Sequence, residues 1–198
     1  MGKVIKNNRL ILRLRSVGDF GIIKFGFIIL LSKGVKMMAG DFEQNETLNT
    51  LKAIFEKHRN ERVCVVGTMC CGKTTLIQQL FQYNCVDVDK DFWPQISEEE
   101  IEILSQTPIT NEIINRIFEL MYAKVTVKSG QPLFGVLILD CDVVVYLDIA
   151  DNLLAEHCKK RGDTNFEDAL FVKKCIEEDW NTHKAKNEKT FYYLTVTE

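Results

Sequence analysis

The pattern of apolar and polar positions along the chain predicts five strands that alternate with helices. Short apolar runs rich in β-branched residues and bounded by turn residues are typical of buried strands. Such runs occupy residues 62–66, 84–88, 123–127, 143–148 and 190–196. Apolar residues at helical spacing fill most of the intervals between them. This order of elements predicts an α/β fold with three layers, in which helices cover a five-stranded, mostly parallel sheet.

Three segments have the apolar spacing of amphipathic helices. In the first, Leu48, Leu51 and Ile54 recur at helical spacing ahead of the first strand. The other two segments, SEEEIEILSQ and TNEIINRIFELMYAK, begin within residues 95–122, between the second and third predicted strands. Each segment therefore predicts a helix with one face against the core.

The third strand has two candidate positions. In PLFGVLILDCDVVVYLDI only Cys141 and Asp142 separate two apolar runs. Neighbouring parallel strands need a crossover connection of about a dozen residues, so the two runs cannot both be adjacent strands. Residues 143–148 are richer in Val and are predicted as the strand, with 132–140 as a short helix or loop. The preceding strand is then predicted within AKVTVKSG.

The segment between the first strand and the next helix has the pattern G-x-x-x-x-G-K-[ST], met by Gly67, Gly72, Lys73 and Thr74. Two glycines at this separation let the backbone curl so that successive N–H groups point inward and bind an anion. The helix that begins at about Lys73 adds the positive end of its dipole. Lys73 is expected to reach the β- and γ-phosphates, and the Thr74 hydroxyl to bind Mg²⁺. The predicted nucleotide-binding residues are Gly67, Thr68, Met69, Cys70, Cys71, Gly72, Lys73, Thr74 and Thr75.

The middle of this loop carries two adjacent thiols, Cys70 and Cys71. Small residues are suited to line a tight loop, which is one interpretation. A thiol beside a helix N-terminus can also have a lowered pKa, which would make the loop sensitive to oxidation. The sequence leaves both interpretations open.

Acidic residues follow the second predicted strand. In NCVDVDKDFWP, the residues Asp87, Asp89 and Asp91 alternate where this strand ends. The carboxyl ends of parallel strands border the crevice in which open α/β sheets bind ligands. One carboxylate there can hold Mg²⁺, and another can hydrogen-bond a hydroxyl that accepts a phosphoryl group. A solvated acidic turn is the alternative, and Asp140, which ends an apolar run as a Walker B Asp does, is a second candidate metal ligand.

With these residues placed, the chain resembles the P-loop small-molecule kinases, in particular shikimate kinase and its nucleoside-monophosphate-kinase relatives. The resemblance covers about residues 60–197 and rests on GTMCCGKTT, VDVD and VVVYLDIADNLLAEHCKKRG. It implies the P-loop NTPase fold, with ATP and Mg²⁺ as cofactors. It also implies a small hydroxylated metabolite or a nucleotide as the phosphate acceptor.

The resemblance also implies roles for single residues. Asp87 matches the carboxylate near Mg²⁺ and the acceptor hydroxyl, and Asp89 matches an acceptor-binding residue. Gly130 falls in the acceptor loop, and Arg161 falls where a lid arginine approaches the phosphates. The implied catalytic residues are Lys73, Asp87 and Arg161, the metal ligands are Thr74 and Asp87, and the acceptor ligands are Asp89 and Gly130. The helices of 95–122 are expected to form an acceptor-side flap, and Trp93 either packs in the core or stacks on an acceptor ring.

Composition separates residues 1–36 from the rest of the chain. They carry eight Lys or Arg against one acid, Asp19, a net of +7, so the formal net charge of −3 leaves −10 for the remainder. An acidic body without a basic stripe argues against nucleic-acid binding. The longest uncharged apolar run, residues 25–31, is too short to span a bilayer, so no stable membrane insertion is expected.

These differences predict two parts, an extension of residues 1–36 outside the fold and a kinase-like domain of residues 37–198. Met37 or Met38 is then expected to be the natural start, with a signal peptide and a membrane-surface anchor as alternatives. Seven cysteines without a C-x-x-C pair predict free thiols in a reducing compartment, the cytoplasm. The chain has no N-K-x-D string, which disfavours a GTPase. We expect a monomer or a homodimer.

Overall fold

The computed structural model describes residues 46–106, 110–186 and 188–197, so the predicted extension lies outside the described residues. The described chain forms seven α-helices and five strands. In chain order they are α1 (Glu46–Lys57), β1 (Val63–Gly67), α2 (Lys73–Gln79), β2 (Val86–Asp87), α3 (Val88–Phe92), α4 (Glu98–Leu104), α5 (Asn111–Lys124), β3 (Leu133–Gly135), β4 (Val143–Ile149), α6 (Asp151–Arg161), α7 (Phe166–Lys186) and β5 (Thr190–Val196).

The five strands form one sheet in the order β2-β3-β1-β4-β5, and every pairing is parallel. All residues of β1 are buried, as are all residues of β4 except Asp148. Apolar strands that are buried along their whole length need helices on both faces of the sheet. The predicted three-layer α/β fold is therefore confirmed, and its described sheet is wholly parallel.

Because all strands run in the same direction, their carboxyl ends lie together at one edge of the sheet (the carboxyl edge) and their amino ends at the other (the amino edge). At the carboxyl edge, β1 ends at Gly67 directly before the glycine-containing loop, and β2 ends at Asp87. At the amino edge, the Arg62 guanidinium contacts Asp140 Oδ2 at 2.6 Å and Asp142 Oδ1 at 2.7 Å. Because Arg62 directly precedes β1, residues that contact it lie a full strand length from the loop.

The third strand is not where the sequence predicted it. Helix α5 continues to Lys124, and the chain then extends to Ser129, which forms an antiparallel bridge with Arg62 at the amino edge. Gly130, at φ 71°, reverses the chain into β3. The strand thus lies within the run predicted to be a helix or loop.

Both apolar runs are strands, β3 and β4, but they are not neighbours. The need for a long crossover between adjacent parallel strands therefore does not apply to them. Strand β1 lies between them and pairs with both. Residues 136–142 only have to return the chain from one edge of the sheet to the other, and a three-residue strand spans only about 10 Å. Val125 and Val127 are both buried. Their alternation with polar residues therefore comes from an extended segment that packs against the core without joining the sheet.

The helices agree with the apolar spacing, and α1, α4 and α5 lie where the sequence predicts them. Ser97 begins α4 with a capping box, in which its hydroxyl accepts the Glu100 N–H (3.2 Å) and the Glu100 carboxylate accepts the Ser97 N–H (3.3 Å). Among the described residues, no helix combines the length and apolar character needed to cross a bilayer.

Phe134 tests the position of β3. Its side chain is fully buried and packs edge-on against Phe55 of α1, with ring centroids 6.3 Å apart. We expect Phe134→Ala to lower the free energy of unfolding by about 3–5 kcal/mol, since it removes a large core side chain. Thr126→Ala, in the exposed position of the segment first predicted as the strand, should change it by less than about 0.5 kcal/mol. Urea unfolding measures both changes in free energy, provided that the slope of the free energy against urea concentration stays the same. Equal effects of the two substitutions would contradict this placement of β3.

Candidate functional site

The loop of residues 67–74 joins β1 to α2 at the carboxyl edge of the sheet. Gly72 directly precedes α2 and has φ 93°, a left-handed conformation that favours glycine. A Cβ added there would meet nothing within 4 Å, so glycine is needed for its backbone angle and this side of the loop is open. Cys70 also has a positive φ, 59°. The loop thus has the tight curl that the glycine spacing predicts.

Gly67 is required for close packing beneath the loop. A Cβ at this position would lie 2.7 Å from Cys71 Sγ and 3.2 Å from the carbonyl oxygen of Leu147. The Cys71 side chain is fully buried, so it packs under the loop. For Cys71, the interpretation as a small residue that lines a tight loop therefore agrees with the structure.

Lys73 folds back over the loop that precedes it. Its ammonium group donates to the carbonyl oxygens of Gly67 (2.6 Å) and Thr68 (2.8 Å). Both acceptors are neutral, and a charge-assisted hydrogen bond to a phosphate oxygen is stronger than one to a carbonyl. A phosphate in the loop can therefore draw the ammonium group away from them.

Helices α6 and α7 both contact the loop. The Thr68 hydroxyl donates to the carbonyl oxygen of Ala169 in α7. From α6, Nδ1 of His157 donates to the carbonyl oxygen of Cys70 (2.9 Å), and Nη1 of Arg161 lies 3.8 Å from Cys70 Sγ. His157 was not predicted from the sequence, although it precedes Arg161 by four residues and so lies on the same helical face.

Arg161 reaches the loop without the lid expected from the resemblance. Helix α6 ends at Arg161 and α7 begins at Phe166, so residues 162–165 form the whole connection. Within it, Gly162 has φ 76° and Asp163 Oδ1 lies 3.1 Å from the Arg161 Nε. The guanidinium group is thus held beside the loop by its own connection.

The acidic residues of the second strand lie near the same loop. Asp87 ends β2 and caps α3, because its Oδ1 accepts the Asp89 N–H (3.3 Å). Burial, and then the charge of Asp87, raise the pKa of Asp89 to about 7, while the positive charges of Lys73 and Arg161 oppose the rise. Asp87, Lys73 and Arg161 therefore all lie close enough to Asp89 for their charges to act on it.

Trp93 holds the Asp89 carboxylate, and the neighbouring Val88 packs against the end of β3. The indole Nε1–H of Trp93 donates to Asp89 Oδ1 at 3.3 Å, and the buried ring of Trp93 packs edge-on against Phe92. Strand β3 ends at Gly135, where an added Cβ would lie 3.2 Å from Val88 Cγ1, so Val88 packs closely against this end of the strand. Trp93 thus has the packing role, and it also hydrogen-bonds the carboxylate.

Two predicted residues lie at the opposite edge of the sheet. The Gly130 N–H donates to the carbonyl oxygen of Glu61 (3.3 Å), and its neighbour Ser129 bridges Arg62. Asp140 pairs with the same Arg62. This placement contradicts the prediction that Gly130 binds the acceptor, and it excludes Asp140 as a partner of Thr74 on one metal ion.

The remaining oxygen donors fit Mg²⁺. Thr74 is exposed in the first turn of α2, and Asp87 is half-buried at the end of β2. Mg²⁺ prefers oxygen ligands and is usually held by one or two protein groups together with phosphates and water. Within the described ranges, no group of three or more His, Cys, Asp or Glu is placed to hold an ion by itself. The site therefore fits a metal ion that is shared with a nucleotide.

Comparison with known proteins gives a structural likeness only. No protein-family model matches the chain, and no curated protein matches it. Among solved structures, it is similar to a gluconokinase from Sinorhizobium meliloti 1021, with 16% sequence identity and a TM-score of 0.43. The match covers 71% of this chain and 85% of the gluconokinase chain. Similarity at this level assigns neither a substrate nor an activity to this protein.

The pKa of Asp89 predicts how stability depends on pH. Because its pKa is raised in the folded protein, Asp89 stabilises the fold fully below its ordinary pKa of 3.8, and this contribution is lost as the pH rises through about 7. Between pH 5 and pH 8, wild type should lose roughly 2 kcal/mol more stability than Asp89→Asn, measured by urea unfolding. Asp91→Asn, which changes an exposed carboxylate two residues away, should behave as wild type. The same pH dependence in wild type and Asp89→Asn would contradict this assignment.

Proposed function

We propose that this protein is an ATP-dependent phosphotransferase that moves the γ-phosphoryl group of Mg·ATP to a hydroxyl group of a small metabolite or nucleotide. One observation carries the proposal. A G-x-x-x-x-G-K-[ST] loop lies near a half-buried carboxyl group, Asp89, whose pKa is about 7. The loop suits a phosphate donor, and the carboxyl group suits a hydroxyl acceptor.

The loop from Gly67 to Thr75 would bind the triphosphate of the donor. Its curl allows successive N–H groups to point at phosphate oxygens, and the first N–H groups of α2 have no partner within the helix. Lys73 would exchange its two carbonyl acceptors for phosphate oxygens. Thr74 and Asp87 would hold Mg²⁺, which neutralises charge on the phosphates when bound.

Asp89 would orient the acceptor hydroxyl and take its proton. A general base works best when its pKa lies near the operating pH, and burial brings Asp89 to this range. The Trp93 N–H fixes one of its oxygens, so the other is left to face the acceptor. Arg161, beside the loop, would stabilise the charge on the phosphoryl group as it transfers.

The sequence also allowed a nucleotide-binding ATPase or regulator without a small-molecule acceptor, in which Asp140 holds the metal ion. The Asp140 carboxylate is paired with Arg62 at the amino edge of the sheet. The loop and Asp87 lie at the carboxyl edge. The alternative therefore loses the metal ligand on which it depended, and the acceptor-dependent reaction is preferred.

Lys73 tests the donor site. We expect Mg·ATP to raise the Tm of wild type, because a ligand that binds only the folded state stabilises it. Lys73→Ala should weaken ATP binding on the order of tenfold or more, since it removes the charge that reaches the phosphates. Lys174→Ala removes an exposed lysine of α7 and should bind ATP as wild type does. If no nucleoside triphosphate stabilises wild type in the presence of Mg²⁺, the proposed function is wrong.

The acceptor site is tested by a screen of hydroxylated metabolites and nucleoside monophosphates for acceptor-dependent release of ADP, with the phosphorylated product identified by mass. Once an acceptor is identified, Asp89→Asn should lower kcat by a factor of about 10²–10⁴, because it removes the general base and keeps the shape of the side chain. Asp87→Asn should also lower kcat, and a higher concentration of Mg²⁺ should partly restore kcat in this variant.

Two matched variants serve as controls for these substitutions. Asp91→Asn changes an exposed carboxylate in the same segment, and Asp140→Asn changes one at the opposite edge of the sheet. Both should retain near wild-type kcat. A loss of activity in Asp140→Asn alone, or ADP release that no acceptor affects, would favour the ATPase over the phosphotransferase.

A further inference from the structure

Two cysteines meet where α6 lies against the loop. Cys70 is the half-buried residue in the middle of the loop, and Cys158 is a buried residue in the last two turns of α6. The thiol of Cys158 lies close enough to the thiol of Cys70 for the two to interact electrostatically. Both cysteines are unpaired in the structure, so the contact joins two free thiols across two elements.

The neighbours of Cys158 hold this contact in place. His157 donates to the Cys70 carbonyl oxygen at 2.9 Å, and Arg161 Nη1 lies 3.8 Å from Cys70 Sγ. The three residues 157, 158 and 161 therefore present one helical face to a single loop residue. The main chain of Cys70 has φ 59°, a conformation that non-glycine residues seldom adopt.

We propose that Cys70 and Cys158 form a redox switch in which a peroxide converts the two thiols to a disulfide that disables the phosphate-binding loop. The chemical step concerns this chain's own thiols, whereas its effect on ATP binding rests on the proposed function. Cys70 and Arg161 belong to the predicted site, but neither a disulfide nor a role for Cys158 follows from phosphoryl transfer.

The reaction with hydrogen peroxide balances in two steps. The Cys70 thiolate attacks one peroxide oxygen, an S–O bond forms as the O–O bond breaks, and the first water leaves after protonation. The sulfur is oxidised to sulfenic acid and the peroxide is reduced. The Cys158 sulfur then attacks the Cys70 sulfur, and the S–O bond breaks. The hydroxide that leaves takes the Cys158 proton as the second water, and a thiol reductant restores the pair.

The environments of the two thiols assign their roles. Cys70 is the more exposed of the two and lies beside a guanidinium group, so it is the thiol that meets the oxidant. Burial, and then the neighbouring Cys70 thiol, raise the pKa of Cys158 to about 12. Cys158 therefore attacks slowly, since the thiolate is the nucleophile. The sulfenic acid on Cys70 should last long enough to be trapped.

The disulfide would act on nucleotide binding through the loop. Residue 70 lies between the two glycines whose spacing lets the loop curl around phosphate. A covalent bond to α6 fixes this residue in one position. This disfavours the rearrangement that a bound triphosphate needs, and bound ATP should in turn oppose the disulfide.

Other thiol pairs are less suited to this reaction. Cys64 and Cys141 also lie close enough to interact, but both side chains are buried in the core, Cys64 fully. Cys71 is fully buried beneath the loop against Gly67. Of Cys64, Cys70, Cys71, Cys141 and Cys158, only Cys70 is more than slightly exposed, so an oxidant reaches it before the other four.

The switch is tested on the full chain, reduced and then treated with hydrogen peroxide. We expect a non-reducing digest to yield the peptides of Cys70 and Cys158 linked with the loss of two hydrogens. ATP affinity should fall about tenfold or more and recover with dithiothreitol. In a glutathione redox buffer, saturating Mg·ATP should raise the reduction potential of the pair by about 30 mV for a tenfold difference in affinity.

Variants separate the switch from general oxidation. Cys158→Ala should give no linked peptide, and its Cys70 sulfenic acid should accumulate and be captured by dimedone. Cys175→Ala, which removes a half-buried thiol of α7, should form the disulfide as wild type does. A Cys70 link to Cys71 or to another cysteine, or oxidation that leaves ATP affinity unchanged, would overturn the switch. If reduced wild type binds no ATP, the proposed function and the switch both fail, while the linked peptide still reports on the thiol pair.

Discussion

The parallel pairing of β1 with both β3 and β4 is the constraint on which the rest of the structure depends. It places the ends of β1, β2 and β3 at one edge of the sheet, so a glycine-containing loop and an acidic segment that are apart in the sequence come together. The same pairing sends Arg62, Gly130 and Asp140 to the other edge. Strand direction alone therefore decides which polar residues can share a ligand.

At the carboxyl edge, the chemistry depends on a balance between burial and charge. Asp89 is half-buried near another carboxylate, and both its desolvation and that charge favour its neutral form, while two cations favour its charged form. A ligand that displaces either cation toward phosphate changes this balance. The protonation of Asp89 is thus linked to whether the loop holds a ligand, although no hydrogen bond joins Asp89 to the loop among the described residues.

Much of this arrangement could be predicted from local sequence signals. The glycine spacing with Lys73 and the alternating acids after β2 gave the site at the carboxyl edge, because both signals depend only on neighbouring residues. The placement of β3 depended on which strand lies beside which, and the Val pattern at Val125 and Val127 does not distinguish a paired strand from a packed extended segment. His157 and Cys158 were missed for a similar reason, since only the path of α6 over the loop brings them to Cys70.

The short connection between α6 and α7 affects how the proposed reaction would be protected from solvent. Residues 162–165 hold Arg161 beside the loop, but four residues cannot form a separate domain that folds over the donor. A kinase without such a cover risks transferring its phosphoryl group to water. Within the described ranges this connection gives no cover for the γ-phosphate. An acceptor that fills the crevice would then be the group that excludes water, and selectivity against hydrolysis would depend on how completely that substrate fits.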